Sequence, residues 1–408
     1  MKIIYLVHQF YPEHYTGTEK FVLNMAKMSQ RNQMKVKVIT YSFQPIHEFD
    51  LEYGNIVYRN YVYQGIPVIA FRHKEIPSSI HYELSNKDVV SFSEHILQKE
   101  KPDLLHAAHS MRVAEFIKAA QRLSIPYLMT LTDFFLNCPK CILLQTDRNL
   151  CEGSREGAAC KMHCKEVSIE ENRHQIAYEL LSAAQGVYAP SQFVASMMNK
   201  AIEGIHVEVL NHGMSYSKIS KNRKHYSEGQ PLTFFYGGSL TPHKGVHLIV
   251  EAFSKIESNR IKLMIYGSGQ DKVYMNMLTA MVEKDERIEF KGVYTENDVS
   301  EIYNMADVAI VPSVWYENYP LVLHEALASN VPLIVSNVGG MSEKIKDDFN
   351  GYTFEIGNAN DLKAAIEKFL HHPEAINRFK ENIKTLMIPT IEQEAYAYER
   401  LYKSYSRA

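Results

Sequence analysis

The sequence predicts two doubly wound α/β domains in tandem, each a parallel sheet covered by helices. Three observations carry that reading. Short apolar runs alternate with segments of helical period along most of the chain, the pattern of successive βαβ units. The alternation breaks once, over 217–230, where Lys218, Lys221, Arg223, Lys224, Ser227 and Gly229 leave few apolar groups. Finally, 408 residues with 46% hydrophobic content supply two cores, at roughly 150 residues per domain.

The first domain opens with a buried strand at 3–7, followed by a polar and aromatic loop to Thr18. A helix over 19–30 comes next, its apolar stripe set by Phe21, Val22, Met25 and Met28, and then a strand at 36–41. The rhythm returns with strand 104–107, helix 112–122 and strand 126–130, and again with strand 186–189 and a helix from Ser191. Beyond the break the second domain runs strand 232–236, helix 246–255, strand 261–266 and helix 273–283. Helix 298–305 with strand 308–311, helix 321–329 with strand 332–335, and helix 362–370 complete it. The last amphipathic segment, 391–405, carries Tyr396, Tyr398, Leu401 and Tyr402 and reads as a helix packing back across the domains. The predicted boundaries are 1–212, 213–386 and a crossing helix in 387–408, with a cysteine-rich insertion at 138–164. Open α/β sheets place ligands at the carboxyl ends of their strands, so a shared cleft is the expected site.

Composition narrows the function classes. Lys and Arg total 44 against 47 Asp and Glu, a net charge of -3, so no global field favours nucleic acid. The five-residue apolar run at the start is too short for a secretion signal, and no run approaches the ~18 residues of a membrane span. A cytoplasmic protein is expected. Five cysteines all fall between positions 138 and 164. A secreted disulfide framework would spread its bridges and use an even count.

Several familiar motifs are absent. Gly267-Ser-Gly269 lacks the third glycine of a dinucleotide fingerprint, Lys244 stands before rather than after a glycine, and there is no HExxH. The informative stretch is Val311-Pro-Ser-Val-Trp-Tyr-Glu-Asn-Tyr-Pro-Leu-Val-Leu-His-Glu-Ala. Pro320 suits the first turn of a helix, and the N–H groups of Tyr319, Leu321 and Val322 would form an anion site there. Glu317 before it and Glu325 on it would repel a bare phosphate but accept hydrogen bonds from sugar hydroxyls, so a sugar phosphate fits better. A second stretch, Phe234-Phe-Tyr-Gly-Gly-Ser-Leu-Thr-Pro-His-Lys-Gly, runs a buried strand into Gly237-Gly238 and brings Lys244 as a point charge suited to a diphosphate.

Taken together, Gly238-Ser239-Leu240-x3-Lys244-Gly245, Gly267-x-Gly269, Pro312-Ser313, Glu317-x7-Glu325 and Gly339-Gly340 with Glu343 resemble the retaining glycosyltransferases of family 4. Tyr11-Pro12 with Gly17-Thr18-Glu19 resembles that family's acceptor-side loop, and Pro102-Asp103-Leu-Leu-His106 the strand leading to its active-site histidine. The resemblance implies a GT-B fold, two Rossmann-like domains facing a cleft with a C-terminal helix crossing back to the first domain. It also implies roles. Glu317 would touch the transferring sugar, Glu325 the ribose, and Lys244 the leaving diphosphate. Backbone N–H groups of Gly17 and of Tyr319, Pro320's neighbours Leu321 and Val322, and Asn318 would assist. The loops at Gly238, Ser239 and Gly267 would line the donor, and Val293 and Tyr294 would hold the base. Two departures stand out: Ser239 replaces the family's usual arginine, and Thr16 the first glycine of its glycine pair.

His106 and His109 both sit at a strand end, and His109 is the preferred catalytic histidine. A subset of the family carries four cysteines at the positions of Cys138, Cys151, Cys160 and Cys164, leaving Cys141 extra. Their spacing suits tetrahedral zinc, while disulfides or an iron–sulfur centre share the same ligand chemistry. The segment is polar after Leu144 and is expected to need a structural zinc to order itself. The overall expectation is an enzyme without a catalytic cofactor that moves a sugar from a nucleotide diphosphate sugar to a saccharide or lipid-linked acceptor in surface polysaccharide synthesis. Phosphorylase, epimerase and catalytically silent partner readings remain open alternatives. The basic run Lys27, Arg31, Lys35 and Lys37 would suit peripheral contact with the inner membrane face.

Overall fold

The computed structural model describes residues 1–165, 167, 170–215 and 219–405. Positions 217 and 218 of the connector, and 406–408 of the C-terminal stretch, lie outside them. The chain divides into two compact units, Met1–His212 with Ile391–Ala408, and Gly213–Thr390. No helix among the described residues is long and apolar enough to cross a membrane.

The first unit is built on a nine-stranded sheet in the order β3-β4-β5-β2-β1-β6-β7-β8-β9. Its strands are β1 (Lys2–Val7), β2 (Lys35–Tyr41), β3 (Leu51–Tyr53), β4 (Ile56–Tyr63), β5 (Ile66–His73), β6 (Leu104–Ala107), β7 (Tyr127–Thr130), β8 (Gly186–Ala189) and β9 (Glu208–Val209). β1 is buried along its length after Lys2 because parallel strands are covered on both faces. Helix Gly17–Arg31 follows it and buries Phe21, Val22, Met25 and Ala26. That helix returns the chain to β2 on one side of β1, while β6 pairs on the other side. The sheet therefore reverses its strand order at β1, and the chain segments leaving β1 and β6 diverge at their carboxyl ends. The C-terminal helix Ile391–Tyr405 belongs to this unit, burying Tyr398 and Tyr402 in its core.

The second unit has a six-stranded, wholly parallel sheet in the order β12-β11-β10-β13-β14-β15. These strands are β10 (Leu232–Gly237), β11 (Ile261–Tyr266), β12 (Ile288–Gly292), β13 (Val308–Val311), β14 (Leu333–Ser336) and β15 (Gly351–Phe354). Here the reversal lies between β10 and β13. The core is apolar on both faces, with Phe234, Leu263, Ile310 and Ile334 from the strands meeting Ile249 and Phe253 of helix Val246–Ser254 and Ile366 and Phe369 of helix Ala359–His371.

One part of the first unit departs from the alternation scheme. β3, β4 and β5 form an antiparallel meander where no element is predicted. β4 and β5 are joined at Gln64-Gly65, with φ of 46° and 84°. A two-residue loop with both φ positive is the turn whose twist suits a hairpin. The burial of β4 alternates toward its end, as a strand with one face toward water should.

Candidate active site

In the second unit the candidate residues gather where β10 and β13 end. Close backbone approach shapes this edge. A Cβ on Gly267 would lie 1.8 Å from the Gly238 carbonyl oxygen, and Gly267 has φ +148°. A Cβ on Gly245 would lie 2.0 Å from the Pro312 carbonyl oxygen, with φ +72°. Only glycine satisfies both demands. The second contact clamps the short turn Pro242–Lys244 against the segment leaving β13.

That clamp delivers Lys244 to Glu317, with Nζ 2.7 Å from Oε1. The same oxygen accepts from the Ser313 hydroxyl at 2.6 Å and the Trp315 indole N–H at 2.9 Å. Lys244 Nζ also lies 5.1 Å from the centroid of the Trp315 ring. Glu317 is only 5% exposed. Burial opposes its ionisation, but the Lys244 charge and the three donated bonds outweigh it and hold the carboxyl below its ordinary range. Lys244 is thus no isolated point charge. A buried carboxylate positions and partly neutralises it.

Helix Leu321–Ala328 begins where expected, and Pro320 is its N-cap rather than part of its first turn. The ψ of 113° at Pro320 is extended, so its carbonyl starts the hydrogen-bond ladder, accepting from Leu323 at 3.1 Å. The N–H groups of Leu321 and Val322 have no acceptor within the helix and point off its positive end. Asn318 and Tyr319 lead in, both buried, and the Tyr319 ring stacks on His324 at 3.5 Å. Glu325 is buried beside Tyr294 and Tyr303, whose phenols are pushed up by burial and then by the Glu325 charge. The Tyr294 ring packs edge-on against Tyr266 at 5.7 Å, next to the exposed Val293. Ser239 is exposed, and its carbonyl accepts from the Tyr236 hydroxyl at 2.8 Å.

In the first unit the two candidate histidines have different surroundings. His106 is fully buried, with Nδ1 2.7 Å from the Tyr402 hydroxyl and Nε2 2.7 Å from the Thr130 hydroxyl. Burial, and then His212, lower its pKa to about 3. It is a neutral core residue tying the C-terminal helix to the sheet. His109 follows β6 at the carboxyl edge and stacks on His8, which follows β1, with centroids 3.9 Å apart. The Met111 N–H donates to His109 Nδ1 at 3.0 Å, so the ring proton sits on Nε2 and points at Asp133 Oδ2, 2.5 Å away. Asp133 also accepts from the Phe135 N–H at 2.9 Å. The half-buried Cys141 thiol completes the group, its pKa raised by desolvation and then by Asp133.

Gly17 starts helix Gly17–Arg31 directly after Thr16, whose φ is −85°. A negative φ explains why threonine replaces glycine there without strain. The Thr16 N–H and hydroxyl both donate to Glu19 Oε2 at 2.6 Å. Glu19 is fully buried, and its Oε1 has no hydrogen-bond partner but lies 3.8 Å from His8 Nε2.

The cysteine segment brings together Cys138, Cys151, Cys160 and Cys164, the four residues expected to hold zinc. All five cysteines are free thiols, and Cys138, Cys151, Cys160 and Cys164 are buried in one neighbourhood. Burial and then the other three push Cys160 up to about 12. Yet among the described residues the only three potential ligand atoms within 4.8 Å of one another belong to His109, Asp133 and Cys141. Zinc with bonds of about 2.3 Å would draw the four sulfurs closer together than that. Other contacts also hold the segment. Arg173 is 5% exposed and donates to the carbonyls of Tyr82 and Phe135. Asn137 accepts from the Ser154 N–H at 3.1 Å, and Leu144 and Leu150 form a β-bridge.

Sequence reasoning passed over Asp133, His8 and Trp315 as site residues. Asp133 stands three residues past β7, the same strand-end placement that singled out His109, and that was the available signal.

Residues 217–386 match the family of glycosyl transferases group 1. An uncharacterized glycosyltransferase of Methanocaldococcus jannaschii is 24% identical over 375 residues, covering 91% of this chain and 89% of the relative. The lipopolysaccharide 1,2-N-acetylglucosaminetransferase of Salmonella typhimurium is 26% identical over 181 residues, 41% of this chain and 48% of that protein. HepE of Anabaena in complex with UDP superposes with a TM-score of 0.73 at 15% identity, over 99% of this chain and 100% of that one. Sucrose-phosphate synthase of Thermosynechococcus elongatus gives 0.73 at 16% identity, over 99% and 98%. The whole-chain likeness establishes the fold as GT-B.

Proposed function

We propose, from the premise that residues 217–386 are a glycosyl transferases group 1 domain in a glycosyltransferase of GT-B fold, that the protein is a retaining enzyme of family 4. It takes a nucleotide diphosphate sugar as donor, a reading supported by the UDP complex of the similar HepE structure. The acceptor is a saccharide or lipid-linked saccharide in surface polysaccharide synthesis, met in the cytoplasm at the inner membrane face. The observation that carries this reading is the Lys244–Glu317 pair beside the helix that starts at Leu321.

The chemistry follows from those groups. Lys244 and the N–H groups of Tyr319, Leu321 and Val322 stabilise the departing diphosphate, where negative charge grows as the glycosidic bond breaks. Gly17 adds its N–H from the start of a second helix. Glu317 holds Lys244 in place and accepts from a sugar hydroxyl. Glu325 accepts from the ribose, and the base rests by Val293 and Tyr294 over the loops at Gly238, Ser239 and Gly267. The donor's own phosphate assists the acceptor hydroxyl on the face the diphosphate leaves, which retains configuration. His109, oriented by Asp133, serves as the polar contact of the transferring sugar.

Thermal melting against a panel of nucleotide diphosphate sugars tests the donor assignment. A rise with at least one donor is expected, since a ligand that binds only the native state stabilises it. NMR of the product formed with that donor then reads the anomeric configuration. Inversion, or no stabilisation by any donor, rejects the proposal.

A further inference from the structure

The second unit carries another polar cavity, at the opposite edge of its sheet, where β10, β13 and β14 begin. It has a volume of about 1070 Å³ and is walled by the segment 219–225 and by helix Ala375–Ile383. Asn222 pins that segment. It is 1% exposed, and its side-chain amide donates to the carbonyls of Tyr303 at 3.0 Å and Ala306 at 2.9 Å. Its own oxygen accepts from Lys380 Nζ at 2.9 Å.

Lys380 is the unusual member. It is 5% exposed, and its ammonium donates to two neutral oxygens, that of Asn222 and the carbonyl of Lys224 at 2.7 Å. Its Nζ also lies 4.9 Å from the Tyr226 ring centroid. An ammonium has three protons to donate, so one remains beyond these two bonds. The acids nearby are engaged elsewhere: Asp307 pairs with Lys224 at 2.9 Å and Glu381 with Lys384 at 2.6 Å. Lys221, Arg223 and Arg378 also line the cavity, and among the described residues no carboxylate pairs with them. Six cations, Lys221, Arg223, Lys224, Arg378, Lys380 and Lys384, thus line one concavity against the carboxylate of Glu381. Gathering like charges around a buried ammonium is unfavourable unless an anion joins them.

We propose that this cavity is a binding site for a phosphate-bearing anion of the diphosphate class, separate from the donor cluster at the other edge of the sheet. The arginines suit it because their planar forks match phosphate oxygens. The phosphate is either free or carried on a lipid headgroup. Burial, with Lys224 and Lys384 adding to it and Asp307 opposing, lowers the Lys380 pKa to about 8. Its neighbours Tyr226 and Glu381 bring no further positive charge. Affinity for the anion should therefore fall as pH rises through about 8, where the ammonium is lost.

Calorimetric titration of the intact protein with inorganic pyrophosphate provides the test, carried out in Lys244→Ala so that the donor cluster does not contribute. One binding event is expected to remain. Adding Arg223→Ser and Arg378→Ser should weaken it by about tenfold or more, the size of a lost charge-assisted contact. Both arginines are exposed, and an unchanged thermal midpoint confirms that the variant folds. Loss of all pyrophosphate binding in Lys244→Ala alone, or binding indifferent to the arginine pair, overturns the proposal. Sedimentation with phosphatidylglycerol vesicles, against phosphatidylcholine controls, separates the sources. Sedimentation that disappears with the arginine pair assigns a lipid-borne phosphate, and sedimentation equal to the control assigns a free one.

Discussion

The two units solve the same topological problem with different electrostatics. Each reverses its strand order beside a central strand, β1 in the first and β10 in the second, and each sets polar side chains at the carboxyl edge of that reversal. In the second unit the edge holds a full ion pair, Lys244 with Glu317, supported by Ser313 and Trp315. In the first it holds imidazoles. His8 is kept neutral by burial and by His109 and Arg112, and His109 donates its ring N–H to Asp133. A preformed cation beside helix N–H groups suits an anionic leaving group. Neutral rings with fixed tautomers suit hydroxyl groups, which need direction more than charge.

Removing the cation should break this contrast most severely. Lys244→Ala is expected to lower turnover at saturating donor by roughly two to three orders of magnitude, as loss of one charge-stabilising donor does. Ser239 offers no second cation to compensate. The variant also leaves Glu317 buried without its ion partner, which costs stability. A double variant, Lys244→Ala with Glu317→Gln, separates the two effects: the melting temperature should recover while turnover does not. Near-normal turnover in the single variant would remove Lys244 from the leaving-group role.

His106 sharpens the comparison from inside the first unit, because it resembles His109 in sequence and should differ from it in every readout. Its folded pKa of about 3 lies below the ordinary value of 6.5. The unfolded chain therefore takes up the proton first. The stability tied to a neutral His106 is fully present above about pH 6.5 and is lost as pH falls toward about 3, on the order of 5 kcal/mol in all. His8 shifts in the same direction. His106→Gln should flatten the decline in urea midpoint between about pH 6.5 and 4 while leaving donor affinity unchanged. An unaltered pH slope would place the titrating group elsewhere.

How much of this was legible in the sequence depended on the range of the interaction. The parallel strands were legible because a buried strand is a short continuous apolar run, and β6, β8, β11 and β13 fall where the pattern puts them. The meander was not, because β4 shares its alternation with many surface segments and its Gln64-Gly65 turn is a weak hairpin signal. Glu317 and Lys244 could be nominated from their motifs, but their contact spans 73 positions and depends on the Gly245 clamp. The cysteines could be grouped from their spacing, but the contacts that hold their segment, from Arg173 to Tyr82 and Phe135 and between Asn137 and Ser154, could not. The proposed structural zinc is tested by elemental analysis of protein purified without added metal, with about one zinc per chain expected. Less than a few tenths of a zinc per chain would leave five free thiols.

Asp133→Asn should have a smaller effect than either charge or core variant. It leaves an acceptor for the His109 proton but removes the carboxylate, so a loss of about tenfold in kcat is expected, comparable to one hydrogen bond. A second readout does not depend on turnover. The Cys141 thiol is raised by burial and then by Asp133. Removing the carboxylate should lower that pKa and speed alkylation of Cys141 at mildly alkaline pH. Unchanged alkylation would show that Asp133 does not act on the cysteine.

The smallest effect is expected at Ser239, where the two edges can be made more unlike each other. Ser239 is exposed and engages its surroundings through its carbonyl, which accepts from Tyr236 and from the Thr241 N–H at 3.1 Å. Its hydroxyl is not built into the loop by any of these bonds, so a longer side chain can extend into solvent without displacing backbone. Ser239→Arg would add a second cation on the loop that follows β10, near Lys244 in sequence and on the same side of the sheet. A guanidinium binds diphosphate oxygens through paired N–H groups. Affinity for the nucleoside diphosphate product should therefore rise by a few-fold, about 1 kcal/mol, with little change in melting temperature. Turnover should change less than product affinity, because a cation that holds the product as well as the transition state slows release. Calorimetry with the nucleoside diphosphate of whichever donor stabilises the protein decides the matter, and a collapse in binding would mean that the loop is shaped around the serine.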